Sequence, residues 1–345
     1  MDDDSKNDIS GTAEDRSPGR EMNGDLQGRV ALVAGATRGA GRAIARALGE
    51  RGATVYCTGR TTRITPGRRP ETIEETAELV TRAGGRGIAR RVDHTRPLEV
   101  EALCAEIGKD AGGIDILVND VWGGDRYVEF GVPFWECSLD KGRLLIEQAL
   151  WSHLVTSRHA VPWMLERPSG LIVEVTDGDH FGWRGEWLYD LIKMATIRLA
   201  FSMSRELVDR PITALAVTPG FLRSEEMLER FGVTEENWRD GAAKDPHFIA
   251  SETPLFVGRA VAALAADPEV GKKAGRVFSS WDLAKEYGFV DADGSRPDWK
   301  SHWERAFGGP YPTADEDAYA TWFDGPVERW LAEQKARGEG DPRGA

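Results

Sequence analysis

Cysteine is scarce in this chain: Cys57, Cys104 and Cys137 are all there are, and no two form a CxxC pair. An odd, sparse count excludes a disulfide scaffold and points to a reducing, cytoplasmic setting. The six histidines are scattered, none at metal-site spacing from a cysteine or an acid, so no metal is expected. Basic charge is also in deficit, with 44 Lys and Arg against 57 Asp and Glu, a net charge of -13. That speaks against nucleic acid and against an anionic membrane surface as partners, since both demand a basic face. No run of about 18 apolar residues offers a transmembrane helix. The start, MDDDSKNDIS, has neither the basic region nor the apolar region of a signal peptide.

Two residue types are plentiful. Thirty-nine glycines imply close backbone approaches, and 12 tryptophans imply large apolar surfaces. A length of 345 residues at 41% hydrophobic is ample for a sizeable core. Residues 1–24 are polar and mainly acidic and read as a disordered arm. From residue 25 onward, short apolar runs alternate with helical patterns. Strands are predicted over 29–36, 53–59, 87–93, 114–120, 170–176, 212–220 and 275–280. Helices are predicted over 42–52, 71–83, 97–109, 139–165, 188–208, 224–231 and 253–267. Alternation at this spacing, with right-handed crossovers, implies an α/β fold with one doubly wound parallel sheet of about seven strands. No polar linker divides 25–290, which therefore reads as one domain. Residues 291–345 form a C-terminal extension. Within it Trp299, Trp303 and Phe307 recur at the spacing of one helix face, and Trp322, Phe323 and Trp330 are further apolar anchors. The extension is read either as packing on the domain body or as a lid or subunit contact. The chain after about residue 336 is expected to fray.

The sequence GATRGAG places Gly35, Gly39 and Gly41 directly after a predicted strand and before a predicted helix. Such a turn lets the main chain approach a pyrophosphate, and the helix N-terminus offers free N–H groups. Thr37 and Arg38 lie in the same loop. At the end of the second strand the chain reads CTGRTT, with Arg60 where an NAD-binding fold usually carries an acid. Arg38 and Arg60 suit a 2′-phosphate, so NADP(H) is preferred over NAD(H). Arg63, Arg68 and Arg69 extend the local positive charge.

Tyr189 and Lys193 are spaced YxxxK, one helical turn apart on one face. A neighbouring ammonium stabilises phenolate, so the tyrosine pKa is expected to fall toward neutrality, where the group can exchange a proton. Thr176 ends the fifth strand, where its hydroxyl is expected to hold a substrate oxygen beside the phenol.

These motifs together resemble the short-chain dehydrogenase/reductase superfamily over about residues 26–290. The marks are GATRGAG, Asp93 after the third strand, Asn119-Asp120 where the family usually has NNAG, Tyr189 with Lys193, and Pro219-Gly220 after the sixth strand. TGRT, the 120–140 insertion with PFWE, and SSWDLAKEYGFVD resemble the subgroup called dehydrogenase/reductase family member 1. The resemblance implies a Rossmann-type fold and a set of roles. Asp93 would accept from the adenine amino group, with His94 stacked nearby, and Asn119 would lie over the cofactor ribose and steady the fourth strand. Tyr189 would be the general acid of reduction with Lys193 as its partner, Thr176 would stand for the usual serine, and Pro219 and Gly220 would line the carboxamide side. It also implies a homodimer or homotetramer formed through the helices of 139–165 and 188–208. Departures from the family pattern are Val121-Trp122 in place of Ala-Gly, and Gln148-Ala149 where the relay asparagine would fall. The loop TDGDHFGW also brings Asp177, Asp179 and His180 toward the pocket. Trp122, Trp135, Phe181, Trp183 and Trp187 fall in segments that should border the cleft and would suit an apolar or aromatic substrate.

Two readings follow. One is an NADP(H)-dependent oxidoreductase moving a hydride between nicotinamide and a carbonyl or alcohol substrate. The other is an NADP(H)-binding scaffold or regulatory protein with weak or lost catalysis.

Overall fold

Five consecutive apolar residues, Val30–Ala34, form the first strand, β1, and all five are buried. Burial on both faces is what a parallel sheet covered by helices requires. The same holds along the chain. The computed structural model describes residues 25–323 together with 325, 326, 329 and 333. After β1 come α1 (Gly39–Glu50), β2 (Thr54–Gly59), α2 (Ile73–Arg82), β3 (Arg86–Arg91), α3 (Pro97–Ala111) and β4 (Ile116–Asn119). Next are α4 (Leu139–Ile146), α5 (Ser152–Met164), β5 (Gly170–Val175), α6 (Trp187–Glu206) and β6 (Ile212–Thr218). The chain continues through α7 (Glu225–Phe231), α8 (Pro254–Ala266), β7 (Val277–Ser279), α9 (Ser280–Tyr287), α10 (Trp299–Phe307) and α11 (Glu316–Phe323).

The strands form one seven-stranded sheet in the order β3-β2-β1-β4-β5-β6-β7. Every neighbouring pair is parallel. The order reverses between β1 and β4, so a crevice opens above the carboxyl ends of those strands. One apolar cluster gathers α1, α8 and α9 against one face of the sheet; a second gathers α3 and α5 against the other. The Rossmann-type doubly wound fold read from the sequence is thus the observed one.

The helix predicted over 139–165 is not continuous. A π-helical segment, Glu147–Trp151, interrupts it between α4 and α5. The periodicity of apolar residues carries through such a bulge, which inserts a residue without ending the helix. The helix α9 was not foreseen; Ser279 caps it by accepting from the Asp282 N–H, and Gly288 ends it in a left-handed conformation.

The extension packs on the sheet body. The Trp299, Trp303, Phe307 spacing does form a helix, α10, with Trp303 and Phe307 rings 4.4 Å apart. In α11, the Tyr319 hydroxyl accepts the outward N–H of Val277 at 2.8 Å, closing part of the β7 edge. Trp322 stacks on Phe181 at 4.6 Å. Trp330, the arm of residues 1–24 and the chain end after residue 336 lie outside the described residues.

The α3–α5 contact rests on Gly108. A Cβ built there would fall 2.0 Å from the Trp163 ring. Alanine favours a helix over glycine by about 1 kcal/mol, but overpacking a rigid indole costs about 1–3 kcal/mol. Gly108→Ala is therefore expected to lower the urea midpoint, and an unchanged or raised midpoint would show that the two helices can slide apart freely.

Candidate functional site

The glycine loop bridges β1 and α1 at the crevice. Gly41 is held so tightly that a Cβ there would lie 2.4 Å from the Gly35 carbonyl oxygen and 2.8 Å from the Asp120 carboxylate. Gly39 differs. Its φ is +56°, and the space beside it is open, with nothing nearer than the Ser224 Cβ at 3.7 Å. Its N–H, at the start of α1, donates to Glu225 Oε2 at 2.8 Å. A carboxylate thus stands where a helix N-terminus favours an anion. Thr37 is buried and packs across the loop toward Gly59 at the end of β2. Arg38 is half-buried at the N-cap of α1.

The arginine cluster is smaller than the sequence suggested. Arg63 pairs with Glu78 at 2.7 Å, and Arg69 pairs with Glu226 at 2.8 Å and with Glu229. These pairs offset their charge, which the sequence, with the acids far away along the chain, did not reveal. Arg60 is exposed, and its guanidinium lies 3.9 Å from the Asp93 carboxylate. For Asp93, partial burial works against ionisation, but bonds from Thr95 and the nearby Arg60 and Arg96 outweigh it and hold the carboxyl below its usual range.

His94 and Asn119 are both buried among side-chain hydrogen bonds. His94 is buried between Thr58 Oγ1 at 2.9 Å and Thr156 Oγ1 at 2.8 Å. Burial pushes its pKa down to about 3, so it is a neutral core group and not a stacking partner. Asn119 is fully buried, donating to Ser157 at 2.9 Å and to Glu174 at 2.7 Å. It ties β4 to β5 and α5, as a strand-steadying residue should. Both side chains point into the layer beneath the crevice, a direction that strand register sets and motif spacing does not.

At the ends of β5 and α6 the geometry departs further from expectation. The Tyr189 hydroxyl donates to Asp177 Oδ2 at 2.7 Å. Burial, and then Asp177, raise its pKa well above the ordinary value. The lowered phenol predicted from YxxxK is therefore not what the structure holds. Lys193 sits one turn away, yet its ammonium lies over the Trp122 indole at 4.1 Å and only 5.6 Å from the Tyr189 ring centre. Burial lowers the lysine pKa, opposed by Asp177, Asp120 and Asp125. The Thr176 hydroxyl donates to the Lys193 carbonyl at 2.9 Å, so its proton is committed to joining β5 to α6. Asp120 is half-buried beside Lys193, and desolvation pushes its carboxyl up to about 7, against the pull of Lys193 and the Gly41 N–H.

Pro219 and Gly220 follow β6. The Gly220 N–H donates to Glu252 Oε2 at 2.9 Å, and Ser280 donates to the same oxygen at 2.6 Å. The Trp299 Cβ would lie 3.1 Å from a Cβ on Gly220, so the extension borders this segment. Glu252 is buried, with no hydrogen-bond partner for its Oε1, and burial pushes it up to about 8.

Two features escaped the sequence reading, the His153–Glu174 pair and Arg184. His153 and Glu174 form a buried pair at 2.6 Å, twenty-one positions apart on α5 and β5. They lie beside a cavity of about 30 Å³ bounded by Asp120, Trp122, Lys193 and Thr196. Arg184 is buried and clamps the loop after β5. Gln148, at the expected relay position, is buried with its Oε1 unpartnered in the π segment. Of the aromatic residues expected at the cleft, Trp122 meets the Tyr189 ring edge-on at 5.5 Å, while Trp135 and Trp183 are largely exposed. Phe181 instead faces the extension. Among the described residues, no group of three or more His, Cys, Asp or Glu is gathered to hold a metal ion. Among the same residues, no helix is long and apolar enough to cross a membrane.

Residues 29–234 match the short chain dehydrogenase family. The chain is 31% identical over 278 residues to Dehydrogenase/reductase SDR family member 1 of Mus musculus, covering 79% of this chain and 86% of that protein. It is 31% identical over 237 residues to the 3-oxoacyl-(acyl-carrier-protein) reductase FabG of Vibrio cholerae, covering 66% and 88%. Among solved structures, a putative dehydrogenase from Xanthomonas campestris superposes with a TM-score of 0.65 at 23% identity, covering 79% of this chain and 94% of that one. That last likeness concerns the fold alone.

Two measurements probe the carboxylates of the site. Glu225→Ala removes the anion held by Gly39, and one lost hydrogen bond corresponds to about a 3- to 10-fold gain in affinity for a competing dinucleotide. Fluorescence titration with NADPH reads it, and unchanged affinity would mean that the contact opens without cost. For Glu252 the folded pKa is raised, so its contribution to stability is full below the unfolded value and is lost as pH rises through about 8. Glu252→Gln, which mimics the protonated form, is expected to flatten the fall of Tm between pH 5 and pH 8.5 by about 2–4 °C.

Proposed function

The chain belongs to the short-chain dehydrogenase/reductase family, and on that premise we propose that it is an NADP(H)-dependent oxidoreductase acting on a carbonyl or alcohol substrate. The observation that carries this reading is the meeting of Tyr189, Lys193 and Thr176 at the carboxyl end of β5, two strands from the glycine loop on β1. The phosphate end fits a dinucleotide. Open space lies beside Gly39, and its N–H already binds a carboxylate, so Gly35, Thr37, Arg38, Gly39 and Gly41 would hold the pyrophosphate. Arg38 and Arg60 would take the 2′-phosphate, Asp93 the adenine amino group, and Pro219 and Gly220 the carboxamide side. His94 and Asn119 support this layer from beneath. When bound, the nicotinamide supplies or accepts the hydride.

The chain's own residues handle the proton. Tyr189 gives a proton to the substrate oxygen in reduction and takes it back in oxidation. Lys193 provides positive charge next to the phenol and would hold a ribose hydroxyl of the bound dinucleotide. Thr176 orients the start of the reactive segment and can turn its hydroxyl to a substrate oxygen only by giving up the Lys193 carbonyl.

An apolar or aromatic substrate is supported by the rim. Phe130, Phe134, Trp135 and Trp183 are all more than half exposed there, and the Phe130 ring lies 5.5 Å from Tyr189. Within the family, the 31% identity and the TGRT and PFWE segments support kinship with the member 1 subgroup. A homodimer or homotetramer is supported by Leu139, Ile146, Trp151 and Leu154, which leave an apolar face open along α4 and α5. A cytoplasmic setting is supported by the three unpaired cysteines. The chain divides, on this reading, into an arm of 1–24, a Rossmann-type domain of 25–290 and an extension of 291–345.

One observation favours the second reading, a dinucleotide-binding scaffold: the indole of Trp122 covers the lysine. The two part on one test. NADPH is mixed with a panel of aldehydes, ketones and quinones, and loss of its absorbance is followed. The enzyme reading expects turnover, a drop of at least about 100-fold in Tyr189→Phe, and unchanged NADPH binding in that variant. Tight binding with no turnover across the panel leaves the scaffold. Arg60→Glu is expected to weaken NADPH about 10- to 100-fold while sparing NADH; equal losses for both cofactors would sink the 2′-phosphate assignment.

A further inference from the structure

Tyr189 has an unplanned partner. Its hydroxyl donates at 2.7 Å to Asp177, the residue that follows Thr176, and not to any group on the lysine side. Asp177 is half-buried, so one side of it meets solvent; Lys193, also half-buried, places its ammonium over the Trp122 indole. The loop that carries Asp177 is also held in place. Arg184 donates through Nε to the Asp177 carbonyl at 2.5 Å, through Nη2 to the His180 carbonyl at 2.6 Å and to the Gly178 carbonyl at 3.3 Å. Its Nη1 reaches the Gly182 carbonyl at 3.0 Å and Asp190 at 3.3 Å. The Gly178 N–H donates to Thr218 at 2.7 Å, anchoring the loop to β6. These bonds hold the backbone at Asp177, from which its carboxylate reaches Tyr189.

We propose that Asp177 is the group through which Tyr189 exchanges its proton with solvent during turnover. This rests on the oxidoreductase reading above. In alcohol oxidation the substrate O–H bond breaks and its proton goes to the Tyr189 oxygen. The Tyr189 O–H bond breaks in the same event and that proton goes to Asp177 Oδ2. The electron pair of the carbinol C–H bond leaves as hydride to the bound nicotinamide, and the substrate becomes a carbonyl. Asp177 then returns its proton to water. Reduction runs each transfer backward. Oxidation thus uses Asp177 as proton acceptor, and reduction uses it as proton donor.

Several groups share this environment and must be held constant in any pH argument. They are Tyr189 and Lys193 on α6, Arg184 and His180 on the loop, Tyr311 of the extension and Asp125 after β4.

The test compares wild type, Asp177→Asn and Asp177→Glu in the full chain. Asp177→Asn is expected to lose one limb of the pH–rate profile and about 100-fold in kcat, with KM and NADPH affinity unchanged. Asp177→Glu is expected to restore the limb in part. A second readout needs no turnover. Since the carboxylate helps to raise the phenol, Asp177→Asn should bring the Tyr189 ionisation down in cofactor-free protein. Tyrosinate absorbance reads this against Tyr189→Phe. An intact pH limb in Asp177→Asn, or an unmoved phenol titration, overturns the inference while leaving the oxidoreductase reading standing. Wild type that binds NADPH but turns nothing over overturns both together.

Discussion

The arrangement depends on how closely the start of α1 lies against the ends of β1 and β4. Gly35 and Gly41 leave no room for a Cβ: one would strike the Asp120 carbonyl at 2.6 Å and the other the Gly35 carbonyl at 2.4 Å. That contact brings the free N–H groups of a helix to the rim of the crevice. It also sets the Asp120 carboxylate beneath them, within 2.8 Å of where a Gly41 Cβ would lie. Lys193 is its neighbour there, and the tryptophan two residues along lies across the ammonium.

Burial is consequently the first cause of nearly every shifted group in the site. It raises Tyr189, Asp120 and Glu252 and lowers Lys193 and His94. The direction follows from one rule, that a low-dielectric interior disfavours whichever form is charged. What distinguishes the groups is their second neighbour. Asp177 accepts from Tyr189 and reinforces the rise. Asp120, Asp125 and Asp177 work against the fall of Lys193. Negative side chains therefore surround the lysine, in keeping with a chain of net charge -13 whose arginines are largely paired at the other end of the crevice.

The extension belongs to the same construction. Trp299 borders Gly220, and Trp322 stacks on Phe181 of the loop after β5. Residues far along the chain thus brace two loops that carry the candidate chemistry. The tryptophan excess is partly spent here, where flat rings fill space between a short helix and a sheet edge.

By itself the sequence determined the fold. Apolar runs of strand length, helical periodicity and a glycine-rich turn are local signals, and each reports on a few adjacent residues. The positions of Tyr189, Lys193 and Thr176 at the crevice follow from them. Only the tertiary structure decided what those residues touch. The Tyr189–Asp177 bond, the Lys193–Trp122 contact, the burial of His94 and Asn119 and the His153–Glu174 pair all depend on which way side chains face across packed elements. Pairing of Arg69 with α7 depends on a fold that closes 157 positions, from 69 to 226, into a 2.8 Å contact. Charge and hydrogen bonding act over a few ångströms in space, whereas motif spacing measures distance along the chain; the two coincide within one helix turn and nowhere else.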